Sequence, residues 1–367
     1  MSFDNTVESI KRLQIMQGDT VRSLTALVWI VVLAAVLPGA GAATHKIIFD
    51  TDFLMPPQDD GSALVLALNS PGEIEVVGIT IVAGNHNLAT EVAHALQLLE
   101  IIGREEIPVY AGAAQPLQHK KSDYAVGGWG KWWSTDPAEE PTGGFAARKK
   151  LAGANAVDFI VKTVIENPGE ITILAVGPLT NIALAIGQEP RFAAAVKRMV
   201  IMGGAIASLP DGAGNQTPKA EFNFWVDPEA AKIVLRAGIP ITLSPLNVAA
   251  QARFTLEWHK KLLSADTAVT RLIKQRLAGR DQPLSFPRMM WDQLAAATLI
   301  DPALFKIKEL YVDVDTNRGD NYGASVGAEK IGPGMEGARR MQVEYDVDAE
   351  GFNQLYVERM TRSGRAK

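Results

Sequence analysis

Apolar residues along this chain fall into short, nearly continuous runs that alternate with segments whose apolar positions recur every three to four residues. The run IIFD beginning at Ile47 is followed by ALVLALN (63–69), EVVGITIVAG (75–84), ATEVAHALQLLEIIG (89–103) and PVYAG (108–112). The pattern resumes with AVDFIVKTVIENP (156–168), ITILAVG (171–177), TNIALAIGQ (180–188), RMVIMGG (198–204), PEAAKIVLRAG (228–238) and ITLSPLN (241–247). A continuous β-branched run has no polar face, so it predicts a strand covered on both sides; the helical periodicity between such runs predicts the covering layers. Strand and helix in repeated succession predict crossover units. The expected fold is therefore α/β: an open, mostly parallel, doubly wound sheet with a Rossmann-like core.

Three stretches break this rhythm. Residues 115–149 are rich in Gly, Trp, Lys and Pro without clear periodicity, too long for an ordinary connection and suited to a lid. Residues 256–304 read as mostly helical. The part from YVDVDTNRG (311–319) onward reads as one strand, a turn and irregular segments before a last helix near 352–362. At the other end, Lys11, Arg12 and Arg22 precede an apolar run from Leu24 to Leu37, and Pro38 leads into Ala40-Gly41-Ala42. Such a run is shorter than the ~20 residues a spanning helix needs. It predicts a signal peptide, or an N-terminal anchor, over residues 1–42, a single domain over 43–367, and an exported protein without stable membrane association once the leader is cleaved.

The composition supports a packed core, with 47% hydrophobic and 21% charged residues among 367. A formal net charge of -5 argues against a nucleic acid polymer as partner, because phosphate binding relies on concentrated Lys and Arg. The absence of cysteine removes disulfides, thiolate nucleophiles and cysteine-held metals. Any metal must be held by oxygen or histidine.

In open α/β sheets ligands gather at the carboxyl ends of strands. The first such end, IIFDTDFLMPPQDDGSALVLAL, carries Asp50, Asp52, Asp59 and Asp60. One carboxylate can cap the following helix, but four so close repel one another unless a proton or cation intervenes. A set of oxygen ligands without an HExxH pattern favours a hard ion, calcium or magnesium, over zinc. At the second strand end Asn85 and Asn87 follow a glycine, as turn residues or as ligands of something bound there. At the third, Gly177-Pro178 ends a strand and Thr180 or Asn181 can cap a helix. At the fourth, Asp227-Pro228 reads as a helix start, while Glu221 and Asn223 alternate with Phe222 and Phe224, which predicts an extended segment with both polar groups on one side. Trp291-Asp292 opens a last apolar helix, where Asp292 can be a cap and Trp291 core filler.

These segments together resemble the inosine-uridine preferring nucleoside hydrolase family from about Lys46 to the C-terminus. The likeness is carried by Asp50-Thr51-Asp52 with Asp59-Asp60, Gly84-Asn85, the turn from Gly177 to Asn181, Met202 to Gly204, Ala220 to Asn223, and Asp227 to Ala231. The resemblance implies hydrolysis of the N-glycosidic bond of ribonucleosides and a Ca²⁺ cofactor. It makes Asp52, Asp60, the main-chain carbonyl of Val176 and Asp292 the calcium ligands, with Asp52 also the general base. It gives Asp59, Asn85, Asn215, Glu221 and Asn223 to the ribose hydroxyls and the 5′ end. It also implies a homo-oligomer, dimer or tetramer, acting on a small-molecule nucleoside.

Two departures qualify the likeness. FLMPPQ separates Asp52 from Asp59, about three residues more than the family's turn. Trp291 stands where inosine-uridine members carry a histidine, as in the purine-specific branch, which implies a purine preference and leaving-group activation by stacking on Trp291. Trp129, with Trp132 and Trp133 as alternatives, is the expected second face of that sandwich. Two other readings are open: an exported nucleoside- or sugar-binding protein without catalysis, and a haloacid dehalogenase-like phosphatase, whose second acidic pair would lie much later in the chain.

Overall fold

In the computed structural model, which describes residues 44–120, 130–278 and 284–362, the first apolar run forms strand β1 (His45–Thr51). Its side chains alternate between faces: Ile47 and Phe49 enter one hydrophobic core and Ile48 the other. A strand buried on both sides needs neighbours on both edges, and β1 lies parallel between β2 (Ile74–Ile81) and β4 (Ile171–Ala175). Strand β3 (Val109–Ala111) extends the sheet beyond β2, and β5 (Arg198–Met202) and β6 (Ile241–Ser244) extend it beyond β4, all parallel. The short pair β7 (Arg253–Phe254) and β8 (Arg288–Met289) stands apart as a two-stranded ribbon.

The run order β3-β2-β1-β4-β5-β6 reverses direction of growth between β1 and β4. In a doubly wound sheet that switch point opens a crevice at the strands' carboxyl ends. The expected fold class is thus found, with one addition. Beyond β6 the sheet continues through β11 (Arg339–Val347), β9 (Phe305–Val314) and β10 (Ser325–Ala328), with β9 antiparallel to both of its neighbours. Two of these strands lie where irregular chain was expected. In β11 Met341 and Val343 are buried while Arg340 and Gln342 are exposed, so a half-covered strand replaces the apolar run that marks the centre of the sheet.

Helices α1 (Asp59–Leu68) and α2 (Leu88–Ile101) contribute to the core that receives Ile47 and Phe49. Helices α3 (Ala156–Glu166) and α4 (Thr180–Gln188) pack on the opposite face, together with the short α5 (Phe192–Ala195). After α6 (Phe222–Val226), α7 (Pro228–Arg236) joins that second core. The short α8 (Leu246–Ala249), α9 (Leu256–Ser264), α10 (Ala268–Ala278), α11 (Asp292–Ile300) and α12 (Ala349–Met360) return to the first. Residues 292–299 of α11 are all buried, in keeping with a helix that is apolar after Asp292 except at Gln293 and Thr298. Among the described residues no helix is long and apolar enough to cross a membrane. The described residues from 44 onward form one compact unit. The expected leader over 1–42 and Trp129 lie outside the described residues.

Candidate functional site

The acidic residues of the first strand end meet at the switch point. Asp52 follows β1, Asp59 and Asp60 open α1, and Asp292 opens α11. One carboxylate oxygen each from Asp59, Asp60 and Asp292 lie within 4.8 Å of one another. Helix capping does not account for the group: Gln58 and Trp291 occupy the two N-cap positions, and neither makes a side-chain cap bond. The free N–H groups of two helix starts instead favour negative charge at this point.

The stretch between Asp52 and Asp59 turns inward rather than bulging out. Phe53 and Met55 are fully buried, and Leu54 O accepts from Gly61 N at 3.0 Å. A side chain at position 61 would stand 2.4 Å from Pro56 Cδ, so glycine is what lets the longer loop close on α1. The added residues are absorbed by the core, and the carboxylates still converge.

Asp60 is held at both oxygens: Oδ1 accepts from Thr51 Oγ1 (2.7 Å) and Oδ2 from Asn85 Nδ2 (3.1 Å). Asp52 Oδ2 accepts the Asn85 N–H at 2.8 Å, and its main-chain carbonyl accepts from Asn85 Nδ2 at 2.9 Å. The Asn85 amide hydrogens are therefore committed to bracing the acids, which leaves its Oδ1 for a ligand. Backbone crowding fixes Asp52 from two sides. A Cβ on Gly84 would lie 2.2 Å from Asp52 Oδ2, and one on Gly177 would lie 2.7 Å from Asp52 N.

Burial pushes the carboxyl groups of Asp52, Asp60 and Asp292 well up from the usual range, and repulsion adds to it. Asp52 feels Asp60, Glu91 and Asp292; Asp60 feels Asp59; Asp292 feels Asp59, Asp60 and Glu221. Asp59 is also raised by burial, but Arg288 and nearby N–H groups oppose the rise. Buried carboxylates that repel one another ionise together only beside a cation, and an all-oxygen donor set suits a hard divalent ion. The residues present fit such an ion.

The remaining expected residues gather round α6. The Val176 carbonyl accepts from Asn223 Nδ2 at 3.0 Å, which leaves its second lone pair available. Asn215 Oδ1 accepts the Phe222 N–H at 2.9 Å. Glu221 and Asn223 do not lie on an extended segment as expected. Glu221 is the N-cap of α6: Oε1 accepts from Asn223 N (2.8 Å), and Oε2 accepts from Phe224 N (3.0 Å) and Gly204 N (2.9 Å). Alternation of apolar and polar residues over four positions suits a single helical turn equally well when a carboxylate caps it. Both side chains are buried, and Glu221 and the acid cluster influence each other's ionisation.

Trp291 is half-buried beside Pro57, Asp59 and Arg288 around a cavity of about 20 Å³. Its indole Nε1 is buried without a hydrogen-bond partner. Trp132 is fully buried, edge-on to Trp133 at 5.6 Å and 5.4 Å from His119, so its ring is committed to packing the loop. His86 donates from Nε2 toward Glu139 (2.9 Å) while Nδ1 accepts the Asn87 N–H (2.9 Å), which ties the same loop to the Asn85 turn. Asp227 caps α7 as expected and also accepts from Thr180 Oγ1 and from Leu117 N at the loop's start.

Two residues near the cluster escape a reading of motifs, Arg288 and Glu91. Glu91 is fully buried, and its signal was available: it occupies the apolar stripe Leu88, Glu91, Val92, Ala95 of α2, where a carboxylate has no reason to be unless something binds it.

With this geometry in view, comparisons with known proteins identify the frame. A family model described as inosine-uridine preferring nucleoside hydrolase matches residues 47–354. The pyrimidine-specific ribonucleoside hydrolase RihA of Citrobacter koseri is 34% identical over 322 residues, covering 86% of this chain and 97% of that protein. Among solved structures, the plant nucleoside hydrolase PpNRh1 superposes with a TM-score of 0.70 at 29% identity, covering 86% of this chain and 99% of its own. A purine-preferring ribonucleoside hydrolase from Gardnerella vaginalis gives 0.69 at 28%, covering 86% and 98%. The expected purine preference does not stand, because relatives at 34% identity are pyrimidine-specific enzymes. The physical reason is that an indole face is an apolar surface that a pyrimidine ring can lie against as well as a purine can. Trp291 alone does not select base size.

Proposed function

The chain belongs to the inosine-uridine preferring nucleoside hydrolase family, and from that premise we propose that it hydrolyses pyrimidine ribonucleosides to free base and ribose with a bound Ca²⁺ ion. The observation that carries the reading is the convergence of Asp59, Asp60 and Asp292 within 4.8 Å at the switch point, with Asn85 donating to both Asp60 and Asp52. Asp52, Asp60, Asp292 and the Val176 carbonyl would hold the ion, with Asp59 beside them. Bound there, a divalent cation supplies charge stabilisation to oxygens and lowers the pKa of water.

The chain's own residues do the rest. Asp52 takes a proton from water onto a carboxylate oxygen; burial and its acidic neighbours favour that protonated form. The water oxygen bonds to C1′ as the C1′–N bond breaks, and the electron pair leaves with the base, which takes a proton from solvent. Asp59, Glu221, Asn215, Asn223 and the Asn85 Oδ1 surround the ribose and favour the positive charge that its ring gains in the transition state. Trp291 offers its face to the departing base. The pyrimidine preference is supported by the names of the curated relatives.

The test is ribose release from uridine, cytidine, inosine and adenosine, with and without a calcium chelator. Release from uridine or cytidine that chelation abolishes and Ca²⁺ restores is expected. Tight nucleoside binding without release from any of the four would favour an exported binding protein instead. Export and assembly as a dimer or tetramer complete the proposal, supported by the apolar run Leu24 to Leu37 and by the family resemblance. N-terminal sequencing of the mature protein and light scattering would check them.

A further inference from the structure

Glu91 has no exposed surface and caps no helix, yet its position is fixed by two main-chain donors. Its Oε1 accepts the N–H of Gly84 at 3.2 Å and the N–H of His86 at 2.7 Å, while Oε2 is buried without a hydrogen-bond partner. The residue between those donors is Asn85. Asn85 in turn donates to Asp52 Oδ2 (2.8 Å), to the Asp52 carbonyl (2.9 Å) and to Asp60 Oδ2 (3.1 Å). One oxygen of Glu91 thus sets a three-residue turn whose central member sets two acids from different elements.

The turn has little other freedom. Gly84 lies so close to Asp52 that a Cβ there would stand 2.2 Å from Oδ2. His86 is clasped through its ring by Glu139 and by the N–H of Asn87. A rotation of the turn that lost the Glu91 bonds would carry the Asn85 donors away from both acids. Burying a carboxyl group is costly, and an apolar residue would satisfy the α2 stripe at no such cost. The buried His86 N–H, however, needs an acceptor, and the Gly84 N–H is shared between Glu91 Oε1 and the His86 carbonyl, each at 3.2 Å.

We propose that Glu91 is a positioning residue of the hydrolytic site, which acts through the Gly84–Asn85–His86 turn to hold Asp52 and Asp60 in their working geometry. The inference rests on the functional reading above and adds a residue to it. Its role is that of an acceptor at a fixed place, and its charge is incidental to that role.

Two variants separate place from charge. Glu91→Gln keeps an oxygen at the same reach without charge; Glu91→Asp keeps the charge but withdraws the oxygen by one methylene. Each is measured in the full chain for Ca²⁺ affinity by titration calorimetry, for kcat and KM with uridine, and for folding by thermal melting. We expect Glu91→Gln to stay within about 3-fold of wild type in Ca²⁺ affinity and kcat, and Glu91→Asp to lose about 10- to 100-fold in both, the range for residues that orient metal ligands. KM should move less than kcat. An Asp variant equal to wild type, or a Gln variant as impaired as the Asp variant, overturns the inference. A stability change in Glu91→Asp with unaltered Ca²⁺ affinity also overturns it, since that is what a merely structural residue would give. A wild-type chain that neither binds Ca²⁺ nor releases ribose would instead sink the functional reading and this inference with it.

Discussion

Replacing Asp60 by Asn should make the metal-free protein more stable while it cripples the enzyme. Asp60 shares a 4.8 Å sphere with Asp59 and Asp292. Two unit charges at 4.8 Å repel by about 3.5 kcal/mol at an effective dielectric near 20. Protonation relieves part of that repulsion, as the raised pKa of the group implies, so the gain on neutralising Asp60 should be on the order of 2 kcal/mol. The isostere keeps both hydrogen bonds: its amide oxygen can accept from Asn85 Nδ2, and its amide nitrogen can donate to the Thr51 hydroxyl, which accepts as readily as it donates. The sign with pH follows from the raised pKa. Below the unfolded value near 3.8 the wild-type carboxyl is protonated in both states and the variants should match; as pH rises toward the folded value, wild-type stability is lost and the Asn variant pulls ahead. Urea unfolding in chelator at pH 4 and pH 8 reads this directly. Adding Ca²⁺ at about 100 times its dissociation constant should return about 2.7 kcal/mol to wild type and far less to the variant. An Asn variant less stable than wild type in chelator at pH 8 would refute the reasoning, because the acids would then be supporting the apo fold rather than straining it.

Substitutions at three further positions probe other parts of the frame. Glu344 is fully buried at the foot of α11, with its carboxyl raised from 4.5 to about 7 by burial and bonded to Thr298 Oγ1. Its contribution is present below about pH 4.5 and lost as pH rises through 7, so Glu344→Gln should flatten the stability profile over that window and gain up to about 3 kcal/mol at pH 8, read by urea midpoints. Gly84→Ala places a methyl group 2.2 Å from Asp52 Oδ2 and should lower kcat about 100-fold at a stability cost of about 1 to 3 kcal/mol; steady-state kinetics beside a thermal melt would show whether the two effects part in this way. Asp227→Ala removes the acceptor of Thr180 Oγ1, Leu117 N and Ala230 N and should cost about 3 kcal/mol, whereas Asp227→Asn should cost less; equal losses would argue against the cap as the cause.

The sheet was legible because its central strands are buried on both faces, which leaves unbroken apolar runs such as Ile47 to Phe49 and Met199 to Met202. Strands β10 and β11 were missed for different reasons: β10 is four residues with a glycine, while β11 carries a strict alternation of Met341, Val343, Tyr345 and Val347 with Gln342, Glu344 and Asp346 that a search for unbroken apolar runs passes over. The acid cluster could be read because like charges at one strand end demand a cation. Its detailed geometry could not: Asp59 joins Asp60 and Asp292 more closely than its expected role on the ribose implied, and Glu221 turned out to cap a helix. Glu91 was hidden by its neighbours, since a helix stripe of Leu88, Val92 and Ala95 draws attention to packing and away from the one carboxylate within it.

The failed expectation of purine preference has a structural cause that bears on how such a site is divided. Most residues proposed for the ribose and the cation hang on strand ends and helix starts: Asp52 after β1, Asn85 after β2, Val176 after β4, and Glu221 braced by Gly204 after β5. These positions are fixed by ladder hydrogen bonds and by two cores, so a displacement of one acid would disturb the whole sheet. The residues proposed for the leaving base are set on different material. Trp291 stands before α11 beside Phe254 and Arg288 of the ribbon β7–β8, and Trp132 of the 115–149 loop packs against His119, which meets Trp225 edge-on. These segments lie outside the sheet, and their link to the acids runs through Glu139, which holds His86 beside the Asn85 turn. The motifs legible in the sequence therefore belong to the residues proposed for the sugar and the cation, whereas the residues proposed for the base lie on segments that no comparable pattern marks.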